Sequence, residues 1–379
     1  MSSAVVVDAA RSLFGRRGGM LASLHPAQLL GNVQRGLIDR IGVPAEAIEE
    51  VIGGCVTQAG AQSGHLVRTA WLYAGLPERA GATTIDAQCG SGQQAVHLIG
   101  AQVSAGLIDA GMACGVEVMS RVPLLANIGE GAPYGRPRPD DWNLDMPTQY
   151  VAAERIADRR CFDRADVDAF GLRSQQRARR AWDEGRLDRQ IIPVLLPNGA
   201  TATRDEGLRA TSLEALAGLD PVIPAGRHTA GTASQISDGA TAAVIMSERR
   251  AAELGLRPRA RILHQCLVGA ETKYLLDGPI TAGETLLKRA GMSVADVDLF
   301  EANEAFAAVA MSFQKMLKVP DERFNVNGGA IALGHPVGST GIRLLATIID
   351  ELERTDGHIG LIATCAGGAM AAGTLVERL

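Results

Sequence analysis

Aromatic residues make up only 4% of the 379 positions, and the six cysteines (Cys55, Cys89, Cys114, Cys161, Cys266 and Cys365) contain no Cys-x-x-Cys pair. The scattered thiols argue against zinc ribbons and dithiol redox motifs, and make reduced cysteines in a reducing compartment the default. There is no block of basic residues and the net charge is −5, so nucleic acid is not an expected partner. No apolar run reaches the roughly 18 residues that a membrane-spanning helix needs. The first residues show no cationic stretch leading into an apolar one, and Val376–Leu379 is no simple address such as Ser-Lys-Leu. A cytoplasmic protein is therefore expected. Histidines and carboxylates do not cluster with ligand spacing, so no metal is expected either.

What is present is 46% hydrophobic, 21% charged and 44 glycines. This suits small-residue helices and tight strand-to-helix turns in an α/β protein with more than one core. Ala4–Asp8, Val51–Cys55, Thr83–Ala87 and Gly111–Val118 read as apolar strands, and Pro26–Ile41 and Gly90–Ala105 have helical spacing. Strands separated by helices imply βαβ units. The order then recurs. Val297–Phe300 with Asn303–Phe313 resembles Glu50–Cys55 and the segment after it. Phe324–Gly329 with Gly338–Leu352 resembles Thr83–Val103, and His358–Thr364 with Gly367–Val376 resembles Asp109–Ser120. In each half a strand is expected to end in a Gly-rich turn that opens a helix, and the whole reads as an internal duplication. The division is residues 1–120 plus 236–258 for one half and 259–379 for the other. Residues 121–235 read as an insertion, rich in Pro, Arg and Gly at Pro133–Trp142 and helical and charged at Tyr150–Arg186. Asp238–Met246 continues the first half after it.

Four segments carry candidate chemistry. In Asp86-Ala-Gln-Cys89-Gly-Ser-Gly92 a strand delivers a cysteine to a helix N-terminus, where free backbone N–H groups and the helix dipole favour a thiolate and can hold an oxyanion. A buried structural cysteine is the plainer alternative. In Asn327–Gly341, His335 sits among glycines at 328, 329, 334, 338 and 341. A neutral imidazole there can take a proton from a thiol or donate to a thioester oxygen; capping a loop carbonyl is the alternative. Thr364-Cys365-Ala-Gly-Gly368 places a second cysteine at a Gly turn, suited to proton transfer or to core filling. In Glu301-Ala-Asn303-Glu304-Ala-Phe306 the Asn303 amide can orient a water or an imidazole, while Glu304 reads as a cap on the next helix.

Taken together, in this order and over essentially the whole chain, these segments resemble the thiolase family. The matching patterns are Cys89–Gly92, Asn303–Phe306, Gly328–Gly341 and Cys365–Gly368. The resemblance implies a five-layered α/β/α/β/α fold of two duplicated halves with an inserted loop domain. It implies an acyl group carried on Cys89, with His335 activating that thiol and Cys365 moving protons. One oxyanion site would use His335 and a water held by Asn303, and the other the backbone N–H groups of Cys89 and Gly367. Coenzyme A would be a co-substrate, with no permanently bound cofactor. Ser234, in the loop Thr229–Gly239, would touch it, Arg209 would meet its nucleotide end, and Phe306 and Leu275 would line the acyl pocket. A homodimer or homotetramer is implied, the Pro/Arg-rich stretch being a candidate tetramer contact.

The chain departs from the family in two places. The pattern Cys-x-Gly-Gly-Gly-x-Gly becomes Cys365-Ala-Gly-Gly-Ala369-Met-Ala371, which questions the fine geometry near the thioester. The His-Met-Gly segment of biosynthetic acetoacetyl-CoA thiolases is replaced by Met146–Glu154 without histidine, and the methionine before Gly-Pro-Ile by Leu275. This resembles degradative thiolases, the steroid side-chain type included, and favours thiolytic cleavage of a longer or bulkier 3-ketoacyl-CoA. Rival readings are a biosynthetic acetoacetyl-CoA thiolase, a ketoacyl-synthase-like condensing enzyme, against which the second cysteine and Asn-Glu-Ala-Phe argue, and a non-catalytic acyl-CoA or sterol binding protein.

Overall fold

A computed structural model describes residues 4–128 and 141–379. The first half runs β1 (Ala4–Arg11), a short β2 (Gly15–Arg16), α1 (Pro26–Ile41), β3 (Glu50–Gly54), α2 (Leu66–Tyr73), β4 (Gly81–Ile85), α3 (Ser91–Ala105) and β5 (Ala110–Val118). Then come α4 (Gln149–Arg160), α5 (Arg164–Asp183), a small hairpin of β6 (Val194–Leu195) and β7 (Thr201–Ala202), and α6 (Leu213–Ala217). The chain returns to the first sheet at β8 (Ser237–Ser247), and α7 (Glu248–Glu253) comes next. The second half is β9 (Ala260–Gly269), α8 (Gly278–Ala290), β10 (Leu299–Ala302), α9 (Ala307–Leu317), α10 (Ala330–Leu333), α11 (Thr340–Thr355), β11 (Ile359–Ala366) and β12 (Met370–Arg378).

The strand order expresses the duplication. From one edge it is β4-β3-β5-β8-β1, and from the other β10-β11-β12-β9, with β1 and β9 meeting in the middle. The pairings mirror one another. β3 with β5 and β10 with β11 are parallel, whereas β5 with β8, β8 with β1, β11 with β12 and β12 with β9 are antiparallel. The seam between halves is thin, with only Val5 opposite Arg261 and Val6 opposite Ala260.

Strand side chains alternate between two cores, as a period of two requires. Val5 and Val7 of β1 face α1 and α2 on the outside, while Ala4 and Val6 face α3 and α11. Ile362 of β11 meets the same inner core, whereas Leu361 and Ala363 face α8 and α9 on the opposite outside. The layers are therefore α1 and α2, the first half-sheet, α3 with α11, the second half-sheet, and α8 with α9. Because both faces of each sheet are covered, the strands read as continuous apolar runs rather than alternating ones. The inserted helix α4 packs on α9, and α5 packs on α9 and α10, so the insertion leaves the first half but covers the second.

Three expectations need correction. Phe324–Gly329 is not a strand: only Phe324 makes an isolated bridge, to Phe300. The helix expected from Asn303 begins at Ala307, because Asn303–Ala305 is irregular and Phe306 extended. Gly367–Gly368 opens no helix; it turns β11 into β12 as a hairpin in which Cys365 faces Ala371. Met370–Arg378 offered no helical period, and a Gly pair marks a hairpin as readily as a helix start. The expectation for Pro133–Trp142 falls almost wholly outside the described residues.

Candidate active site

The two middle-layer helices point their N-termini at one another. Their first turns carry Gly92 and Gly341, and side chains there would collide with backbone. A Cβ on Gly341 would lie 2.4 Å from the Gln93 nitrogen, and one on Gly92 would lie 2.8 Å from the Gly338 oxygen. This close approach brings the loop before α11, with His335, to the loop before α3, with Cys89. Glu117 at the end of β5 ties them. Its buried carboxylate accepts from the N–H groups of Val56, Thr57 and Gly338 and from Gln62 Nε2. The backbone entering α3 is bent, with Gln88 at φ 53.

Cys89 and His335 line one cavity with Gly367, Ser234, Phe306, Tyr150, Leu276, Met119, Leu124, Leu125 and neighbouring residues. The backbone N–H groups of Gly367 and of Cys89 itself lie near Cys89 Sγ and favour its charged form. They lower the thiol pKa, but burial outweighs them and pushes it up to about 11. The expected thiolate at a helix N-terminus is thus opposed by desolvation, and the resting sulfur is protonated. Behind the cavity runs a buried chain: His335 Nε2 lies 3.4 Å from Asn303 Nδ2, and Asn303 Nδ2 lies 3.9 Å from Cys365 Sγ. Burial, and secondarily the nearby Arg343 charge, drops His335 to about 3, so its ring is neutral. Burial, and secondarily the proximity of Cys89, pushes the Cys365 thiol far up. The Asn303 Oδ1 is buried without a partner.

The other expected residues are more scattered. Ser234 lines the cavity and its N–H donates to the Ala305 oxygen. Phe306 forms a wall, edge-on to Tyr150 at 5.6 Å and to His228 at 5.5 Å. Leu275 does not line the cavity; at φ 38 its side chain turns into the core and Leu276 takes the wall position. Arg209 is exposed, its guanidinium donating to the Ala230 oxygen away from the cavity wall. Glu304 is no helix cap: it accepts from Ser174 Oγ, Asn325 Nδ2 and the Ile331 N–H, locking α5 to the loop before His335. Sequence reasoning passed over Glu117, Tyr150 and His228. His228 accepts from the Ala308 N–H and lies 2.8 Å from Glu154, which fixes the start of α9. Among the described residues, no group of three or more His, Cys, Asp or Glu is placed to hold a metal ion.

A thiol and a neutral imidazole in one cavity, with a second thiol behind an asparagine, is an arrangement for covalent acyl transfer. The comparisons agree. The thiolase N-terminal domain family matches residues 4–249 and the thiolase C-terminal domain family residues 256–378. The chain belongs to the thiolase family. It is 41% identical, over all of its length and 95% of the relative's, to the steroid 3-ketoacyl-CoA thiolase FadA6 of Mycobacterium tuberculosis. It is 39% identical to an acetyl-CoA acetyltransferase of Syntrophomonas wolfei, covering 99% of each chain. Among solved structures, the acetyl-CoA acetyltransferase of Bacillus anthracis superposes with a TM-score of 0.92 at 34% identity, covering 100% of this chain and 99% of the other. This thiolase is an acyltransferase, and no helix among its described residues is long and apolar enough to cross a membrane.

Proposed function

We propose that this thiolase cleaves a 3-ketoacyl-CoA with coenzyme A through an acyl–Cys89 intermediate. The observation that carries the reading is one cavity lined by Cys89, His335 and Gly367, with Asn303 Nδ2 behind it between His335 Nε2 at 3.4 Å and Cys365 Sγ at 3.9 Å. Cys89 Sγ attacks the 3-keto carbon as its proton passes to His335. The bond between C2 and C3 breaks, its electrons become the acetyl-CoA enolate, and the Cys365 thiol protonates C2. Burial holds Cys365 in the thiol form, which is the form that donates. Coenzyme A then enters and Cys365 takes its thiol proton. The CoA thiolate attacks the thioester, and Cys89 leaves and regains its proton from His335. The N–H groups of Cys89 and Gly367 hold one developing oxyanion, and His335 with a water on Asn303 holds the other. Ser234 contacts the pantetheine, and Arg209 the nucleotide end from the rim.

The acyl substrate is longer or bulkier than acetoacetyl, of fatty-acid or steroid side-chain type. The apolar wall of Tyr150, Phe306, Leu276, Met119 and Leu124 supports this, as does the similarity to a steroid 3-ketoacyl-CoA thiolase. The division into residues 1–120 with 236–258, 121–235 and 259–379 stays our reading of the domains, and a cytoplasmic location our reading of the compartment. We assign a homo-oligomer because β4 is one of the two edge strands of the sheet among the described residues, and another copy can extend that edge.

The test is cleavage of a panel of 3-ketoacyl-CoAs, from acetoacetyl-CoA to long-chain and ring-bearing thioesters, followed at the enolate absorbance. Rates that climb with acyl size support the degradative assignment. Turnover of acetoacetyl-CoA alone moves the assignment to a biosynthetic thiolase. Cys89→Ser abolishes turnover while coenzyme A still binds; wild-type thiolysis by that variant removes Cys89 as the nucleophile.

A further inference from the structure

His335 has a second ring nitrogen that the mechanism leaves unexplained. Nδ1 lies 2.7 Å from Thr340 Oγ1, and Thr340 Oγ1 lies 3.0 Å from the Pro336 oxygen. Thr340 is fully buried in the first turn of α11, and its hydroxyl is the group hydrogen-bonded to that nitrogen. A hydroxyl has one proton to give. With the Asn303 amide oriented as it is, a proton given to Nδ1 would leave the ring proton on Nε2, facing the Asn303 NH2 group, donor against donor. If the hydroxyl gives the proton to the Pro336 oxygen, Nδ1–H donates to Thr340 Oγ1 and Nε2 accepts from Asn303. Every contact then has one donor and one acceptor.

We propose that Thr340 is the positioning residue that keeps the proton of His335 on Nδ1, so that the Nε2 lone pair can exchange its contact with Asn303 for the proton of Cys89. The proposal rests on the reading of His335 as the base. The proton count closes: Nδ1 keeps its hydrogen throughout, Nε2 gains the hydrogen that Cys89 loses, and the imidazolium donates from Nε2 to the thioester oxygen. The choice of a hydroxyl has its own consequence. A carboxylate beside Nδ1 would set the same tautomer but stabilise the charged ring. A neutral acceptor fixes the tautomer and leaves the buried ring uncharged, as a base must be before it acts.

The experiment combines imidazole nitrogen-15 NMR on histidine-labelled enzyme with thiolysis kinetics. The His335 signal is assigned by its loss in His335→Asn. Wild type and Thr340→Ser show the Nδ1–H tautomer, and Thr340→Ser recovers most of the turnover. Thr340→Val, of nearly the same volume, moves the proton to Nε2 and lowers kcat by about 100-fold, the worth of a general base, while KM stays within about two-fold of wild type. A wild-type Nε2–H tautomer overturns the proposal, even if the valine variant fails to fold. So does unchanged kcat in Thr340→Val, or equal losses in the serine and valine variants. Wild-type turnover by His335→Asn is a separate failure: it removes the base assignment and leaves the tautomer result standing.

Discussion

At the scale of single residues, burial decides the charge states. The His335 ring is pushed down to about 3, well below the value near 6.5 of a free imidazole, because water is excluded and Arg343 is near. Its base therefore survives acidification. The profile of kcat/KM against pH is expected to show no limb centred near 6.5, and a limb there would mean that the ring is solvated. The same shift has a sign for stability. Below about 6.5 the unfolded chain binds a proton that the folded ring refuses until about 3, so this group makes the fold less stable as pH falls through that window. A second residue prediction concerns Ala369, which replaces a family glycine at φ 58. An alanine there carries about 1 kcal/mol of strain or slightly more, only partly offset by the freedom a glycine loses on folding. Ala369→Gly is expected to raise the melting temperature by about 1 °C, read by calorimetry; a lower melting temperature would show the alanine packing to matter more than its backbone. Candidate site residues were legible where glycine punctuates the sequence, as around Cys89, His335 and Cys365. The cavity wall was not. Tyr150, Met119 and Leu276 are ordinary apolar residues from distant segments, and the left-handed backbone at Leu275 shifts the wall by one position in a way no pattern signals.

At the scale of elements, the site is a contact between two helix N-termini. The sequence displays both helices and the glycines at their starts, but not that Gly341 closes on Gln93 and Gly92 on Gly338. Strands were readable because both faces are buried and the apolar runs are unbroken, while Phe324–Gly329 looked similar and forms only one bridge. The non-helical backbone at Asn303–Phe306 was hidden under a helix-like composition, since Ser234 N–H and His228, both from the insertion side, hold the Ala305 oxygen and the Ala308 N–H. The helix contact yields a prediction. Gly341→Ala places a carbon 2.4 Å from the Gln93 nitrogen and 2.6 Å from the Gln93 Cβ. Neither atom is the free end of a flexible chain, so α3 and α11 must part. A loss of about 1–3 kcal/mol is expected in denaturant unfolding, together with a fall in kcat, because Cys89 and His335 ride on the displaced loops. Unchanged kcat in a folded Gly341→Ala would show that the loops, not the helices, set their spacing.

At the scale of the whole molecule, the two halves share a seam of two residue pairs and need another fastening. Arg259, just before β9, supplies it. Its guanidinium donates to Asp8 of β1 at 2.6 Å and to Glu353 of α11 at 2.6 and 2.8 Å, and it also bonds Asp350 of α11. Asp8 in turn pairs with Arg40 of α1 at 2.8 Å. Arg259 thus joins the first sheet, the middle layer and the second sheet, and Arg40 adds the outer helix α1 through Asp8. The side chains of Arg259 and Asp8 are each only 6% exposed, so this is a buried network and not a surface pair. Burying charges is costly in itself, and such a network adds little over a good apolar core. Breaking it is different, because the carboxylates stay behind without their cation. Arg259→Ala is expected to cost about 3–5 kcal/mol, which for a chain of this size lowers the melting temperature by about 5 °C. Arg259→Lys keeps the charge but cannot fork to three carboxylates, and falls between the two. Calorimetry decides it. A melting temperature within about 1 °C of wild type for the alanine variant would mean that packing of α3 against α11, and not this cation, holds the halves together.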